Sequence, residues 1–227
     1  MHLIRVRYFH AGTRLFYNRQ ERFRRNFASF ASQVSPLLVL YRYGGAFGAG
    51  AAIRMANAGG AKVIGLQGQR GEWGWFYYVP GGCVVDVYEV DCVHQHGMAP
   101  AFLHHAEAGA RASLVDGFNW LFGNNQLDVS MLCPAEHMFY RSQLRRAELN
   151  TTALRGIRSF ANARLHRSDR VDRYRPLYLR RECRSCELGW ILWSFGSRPD
   201  YAAFTPRPQS LSSARRARPC RPGHKRM

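Results

Sequence analysis

No apolar run in this sequence approaches eighteen residues, which excludes a membrane-spanning helix of ordinary length. No secretory hydrophobic segment stands near the start either, so the expected location is cytoplasmic, with no membrane partner. Lysine is almost absent: Lys62 and Lys225 are the only two among 33 basic residues, and the rest are arginine. Phosphate recognition by a point charge would be content with lysine, so high-GC coding accounts for the bias better than selection does. The six cysteines lack secretory context and read as reduced intracellular thiols. Acids are also scarce, at 15, which leaves a formal net charge of +18. There is no internal repeat.

What charge there is lies unevenly. Between Pro36 and Ala135 stand Arg42, Arg54, Lys62, Arg70 and Arg111 against Glu72, Asp86, Glu89, Asp91, Glu107, Asp116 and Asp128. The middle is therefore about −2 and the flanks carry about +20. This describes a nearly neutral domain with basic ends. Residues 1–35 form the first end. Phe16, Phe23, Phe27, Phe30 and Val34 recur at helical spacings there, which predicts one apolar stripe on a basic helix. It reads as a surface extension, or as a presequence with "RRNFAS" as a processing region and a mitochondrial destination. Residues 206–227, rich in arginine and proline without an acid, read as a disordered basic tail.

Between them, residues 36–205 read as the folded domain. "PLLVLYR" predicts a buried strand, Gly44–Gly50 a turn, "AAIRMANA" a helix ended by Gly59-Gly60, and "AKVIGL" a second strand. "WGWFYYVPGGCVVDVYEVDC" predicts two strands about Pro80-Gly81-Gly82, a plain hairpin unless the second run joins a parallel sheet. "PAFLHHAEAGARASLVDGFNWLFG" predicts a helix, "LDVSML" a strand, "RSQLRRAELNTTALRGIRSFANARL" a helix and "GWILWSF" a last strand. Strands alternating with helices predict an α/β fold with a Rossmann-like, doubly wound parallel sheet.

Gly44, Gly48 and Gly50, between a strand and a helix, resemble the phosphate-binding turn of the short-chain dehydrogenase/reductase family. "VYEVDC", "WLFGNNQLDVSMLCPA", "RRAELNTTALRGIRSFA" and "GWILWSFGSRPDYAAFT" resemble later family blocks, in the same order, over roughly 36–205. The resemblance implies an oxidoreductase that binds NADP or NAD and acts on a small carbonyl or alcohol substrate, with a homo-oligomer left open. It carries cofactor contacts onto Gly44, Phe47, Gly48, Ala49, Gly50, Gln67, Asp91 and Cys92. Gln67 stands in place of the usual ribose-binding acid, and Arg70 nearby tilts the choice toward a 2′-phosphate. Catalytic roles pass to Asn150, Ser194 and Tyr201. The family's Tyr and Lys, four residues apart, align with Phe204 and Pro208, so catalysis is expected to be impaired.

Other readings stand beside this one. A non-enzymatic basic protein would bind nucleic acid through its charged ends, without reading sequence. A dehydrogenase gene read in shifted frames would give family-like blocks between unrelated Arg/Pro-rich ones, and the break after Thr205 fits such a product without function. Cys92, His94, His96, Cys183 and Cys186 carry the residue types of a zinc site, without a second C-x-x-C to support it.

Overall fold

The computed structural model describes residues 3–18, 25–106, 110–146, 152–165, 167–169 and 176–196. In chain order its strands are β1 (Phe9–His10), β2 (Leu15–Phe16), β3 (Phe27–Ser29), β4 (Phe76–Tyr78), β5 (Cys83–Asp86), β6 (Val90–Asp91), β7 (Leu132–Cys133), β8 (Met138–Phe139), β9 (Ser142–Arg145) and β10 (Leu177–Arg180). Its α-helices are α1 (Phe30–Phe47), α2 (Gly50–Ile64), α3 (Ala99–Leu103), α4 (Ala110–Leu121), α5 (Thr152–Arg164) and α6 (Ser185–Phe195).

Ser29 starts the first long helix. Its backbone is extended and its hydroxyl accepts from the Ser32 N–H at 3.2 Å, satisfying one of the free donors of the first turn. Phe30, Val34, Leu37, Leu38, Tyr41 and Gly44 are then buried along α1, three or four residues apart apart from one adjacent pair, which is a helical stripe. Gly48 stops the helix in the left-handed conformation, φ 60°, with its N–H on the Gly44 carbonyl. α2 returns antiparallel along α1. Gly59 lies against Leu37 and Phe16, and Gly60 against the Tyr41 hydroxyl, so the missing side chains let the two helices close.

This hairpin of helices corrects the expected strand–turn–helix–strand unit. "PLLVLYR" lies inside α1, and "AKVIGL" is divided between the end of α2 and the turn after it. Gly59-Gly60 sits within α2 and does not end it. "GWILWSF", expected as a strand, belongs to α6, and "SQLR", expected as helix, is β9. Leu15–Phe16 and Phe27–Ser29 are strands, where a basic helix was expected.

Among the described residues the sheets are four and small: β1-β2, β3-β4-β5, β10-β9-β6 and β7-β8. Every pairing is antiparallel. The doubly wound, Rossmann-like parallel sheet is therefore overturned: the fold is mixed α/β with no parallel pair among the described residues. The physical reason is the ambiguity of short apolar runs, which a seven-residue window cannot assign to strand or buried helix. The hairpin about Pro80-Gly81-Gly82 does form, as β4 and β5, and β3 adds to the other edge of β4.

The core joins the helical hairpin to the central sheet. Trp73 is fully buried, its ring 5.3 Å from Phe30 and 6.1 Å from Phe102. Buried Gln33 on α1 exchanges two hydrogen bonds of 2.8 Å with the backbone of Phe16, tying β2 to the helix. Among the described residues no helix is long and apolar enough to cross a membrane.

Candidate functional site

The glycines that resemble a phosphate-binding turn lie where α1 meets α2. Gly44 is buried where Ile53 of α2 crosses, and a Cβ at Gly44 would overlap that side chain. Gly48 and Ala49 link the helices, Gly50 opens α2, and Phe47 projects into solvent. No strand leads into this turn, so its glycines serve helix contact and helix termination. Nothing lies within 4 Å of a Cβ added at Gly48. Gly48→Ala is therefore expected to cost about 1 kcal/mol through left-handed strain alone, read as a drop in thermal or urea stability.

Gln67 and Arg70 line a cleft of about 610 Å³, together with Glu72, Gln126, Ser168 and Asp169. The protein itself takes up several of their donors. The Gln67 amide donates to the carbonyls of Gly71 and Ser113, at 3.0 and 2.9 Å. Arg70 donates to the Asn125 carbonyl and pairs with Asp128 at 2.6 Å. Glu72 is buried and accepts from the Arg70 N–H at 3.0 Å; burial pushes its carboxyl up despite that bond. The polar side chains of this cleft are thus bonded largely to neighbouring residues outside its lining.

Asp91 and Cys92 lie beneath the surface, at β6 and just after it. Burial first, then the Glu89 charge, push the Asp91 carboxyl up to about 7, against the pull of Arg141 at 3.7 Å. Burial, with Glu187, Asp91 and Cys183 adding to it, raises the Cys92 thiol well above its ordinary value. Such a thiol stays protonated and is a poor nucleophile. Ser194 on α6 is buried and donates its hydroxyl to the Gly97 carbonyl at 2.8 Å. Asn150 and Tyr201 lie outside the described residues.

His94 and His96 are packed in the interior, whereas His105 and His137 are exposed. His94 is buried with its ring 4.8 Å from Phe30 and 5.7 Å from Trp75, and burial drives it down to about 3, so it is neutral. His96 Nε2 lies 3.4 Å from the Glu187 carboxylate, both buried. Among the described residues, no group of three or more His, Cys, Asp and Glu is placed to hold a metal ion.

Sequence reasoning missed a buried charge cluster about Asp86. Asp86, at the end of β5, receives Arg145 at 3.2 Å, Arg155 at 3.3 Å and Arg158 at 2.6 Å. Arg145 also pairs with Asp169 at 2.8 Å, and its guanidinium lies 4.6 Å over the Tyr88 ring. Burial pushes the Asp86 carboxyl up, and the three arginines oppose it. The only sequence signal was an acid inside an otherwise apolar strand, "CVVDV".

Burial has thus sorted the charges. Glu72, Asp86, Glu89, Asp91 and Glu187 are buried. Arg5, Arg7, Arg14, Arg42, Arg54, Arg111, Arg146, Arg164, Arg167, Arg181 and Arg184 are exposed. The exposed acids among the described residues are Asp116, Asp128, Glu136 and Glu182, and two of these, Asp128 and Glu182, are paired to arginine. The candidate functional feature is this cationic surface. No family model, curated protein or solved structure matches this chain.

Proposed function

We propose that the chain is a non-enzymatic basic protein that associates with nucleic acid through phosphate contacts, without reading sequence. One observation carries this reading: among the described residues five carboxylates are buried against one arginine, Arg145, while eleven arginines are exposed, so the outer surface is more cationic than the composition alone requires. A surface of this kind attracts a polyanion by releasing its condensed counterions. Arginine adds paired donors that suit a phosphate's oxygens. Such contacts position a protein on a strand and carry no sequence information. The acid-poor ends of the chain add to the same charge.

Dinucleotide binding has no comparable support. It rested on a glycine turn at the edge of a parallel sheet, and the turn joins two helices. The test is an anisotropy titration with two labelled oligonucleotides of unrelated sequence at low salt. Matched affinities are expected, and Arg146→Gln/Arg181→Gln/Arg184→Gln should weaken both equally. Absence of binding at low salt would contradict the reading.

A further inference from the structure

The outer face of α1 is apolar and aromatic where it should be polar. Val39, Tyr43 and Phe47 stand four residues apart on it, 55%, 40% and 73% exposed, and so form one stripe. Tyr43 and Phe47 are in ring contact at 4.9 Å. Beside them Arg42 lies 4.7 Å over the ring of Trp193 on α6, itself 44% exposed. The stacked pair sets Trp193 of α6 beside the solvent side of α1, at the residue next in sequence to Tyr43.

The exposed charges of α1, α2 and α6 have one sign. Between Glu21 and Glu72 the sequence holds no carboxylate, so α1 and α2 carry none. α6 has only Glu187, which is buried. Arg42 and Arg54 are exposed on the same helical hairpin. Aromatic faces beside arginines, on three helices that expose no acid of their own, fit a ligand that offers flat rings and anionic links in alternation.

We infer that Tyr43, Phe47 and Trp193, with Arg42 and Arg54, form a stacking platform for single-stranded nucleic acid. Unpaired bases stack on the rings, and the arginines take the phosphates between them. A duplex keeps its bases inside and gains only the charge contacts. This inference rests on the proposed nucleic-acid binding and adds to it a place and a preference for single strands.

The experiment uses the full chain with oligo(dT) of roughly twenty nucleotides, and a duplex of equal length, across a salt series. The wild type should prefer the single strand. Tyr43→Ser/Phe47→Ser/Trp193→Ser should lose about tenfold or more of the single-strand affinity, with duplex affinity and the salt slope kept. In a second variant, Trp193→Phe, the tryptophan quenching seen on binding should fall while affinity stays. If the wild type binds neither oligonucleotide, the underlying nucleic-acid reading fails. If it binds and the triple variant is unimpaired, the platform alone is overturned. Loss of self-association in the triple variant, without loss of single-strand affinity, would likewise overturn it and make the face a contact between copies.

Discussion

Asp86→Ala is expected to destabilise the protein by about 3–5 kcal/mol, the range for removing one partner of a buried ion pair. The carboxylate is 2% exposed and receives three guanidiniums, from β9 and α5. Removing it leaves those cations without their shared acceptor, although Arg145 keeps Asp169 and Arg155 keeps the Tyr88 carbonyl. Their mutual repulsion in a low dielectric then adds to the lost bonds. The same carboxylate joins β5 to β9 and α5, so the loss should loosen α5 as well. Asp86→Asn retains shape and an acceptor and should cost less than alanine. Urea unfolding of the three proteins ranks them. A loss below about 1 kcal/mol for alanine would show that the cluster is not formed as described.

Asp91→Asn should act in the opposite direction, and its effect should depend on pH. The folded carboxyl is pushed up to about 7 from an ordinary value of 3.8, chiefly by burial and then by Glu89. Between those values the folded chain holds a proton that the unfolded chain has released. Stability therefore falls as pH rises from about 4 to about 7, and the loss is complete above that. Asparagine removes the ionisation. The variant should match the wild type near pH 4 and exceed it at pH 8, on the order of 2–4 kcal/mol. Glu89, Glu187 and Arg141 share this site, so the titration belongs to the group and will be broad. Thermal unfolding from pH 4 to pH 8 reads the difference. A pH-independent gap between the two proteins would mean that Asp91 is solvated.

Part of this was legible in the sequence. The hairpin about Pro80-Gly81-Gly82 followed from its turn residues and flanking aromatics, because turn chemistry is local. Of the described residues in the helical stripe expected from Phe16 to Val34, only Phe30 and Val34 lie on a helix, α1; Phe16 and Phe27 are in strands. The continuation of that stripe through Leu37, Leu38 and Tyr41 was cut at Pro36, which lies inside α1. Proline is disfavoured in a helix interior, and here the buried stripe outweighs that preference. Once "PLLVLYR" read as a strand, the glycines after it took on the look of a phosphate turn. Their tertiary role, close approach of α2 to α1, needs both helices in view.

The candidate sites divide in the same way. Surface arginines are evident from composition, since charged residues are exposed by default. The burial of Asp86, Asp91 and Glu187 is not, because it depends on partners 40 to 100 residues away in the chain. Ser194 and Cys92 carry reactive groups by residue type. Burial and the Ser194–Gly97 bond give them structural surroundings that no spacing rule reports.

The central claim is that exposed arginines bind phosphates. The most direct measurement is the affinity for an oligonucleotide of arbitrary sequence as a function of salt. With four or more phosphates neutralised, affinity for duplex should fall about 100-fold or more between about 50 and 200 mM monovalent salt, along a straight line in logarithms. An affinity indifferent to salt, or no binding at about 50 mM, would contradict it.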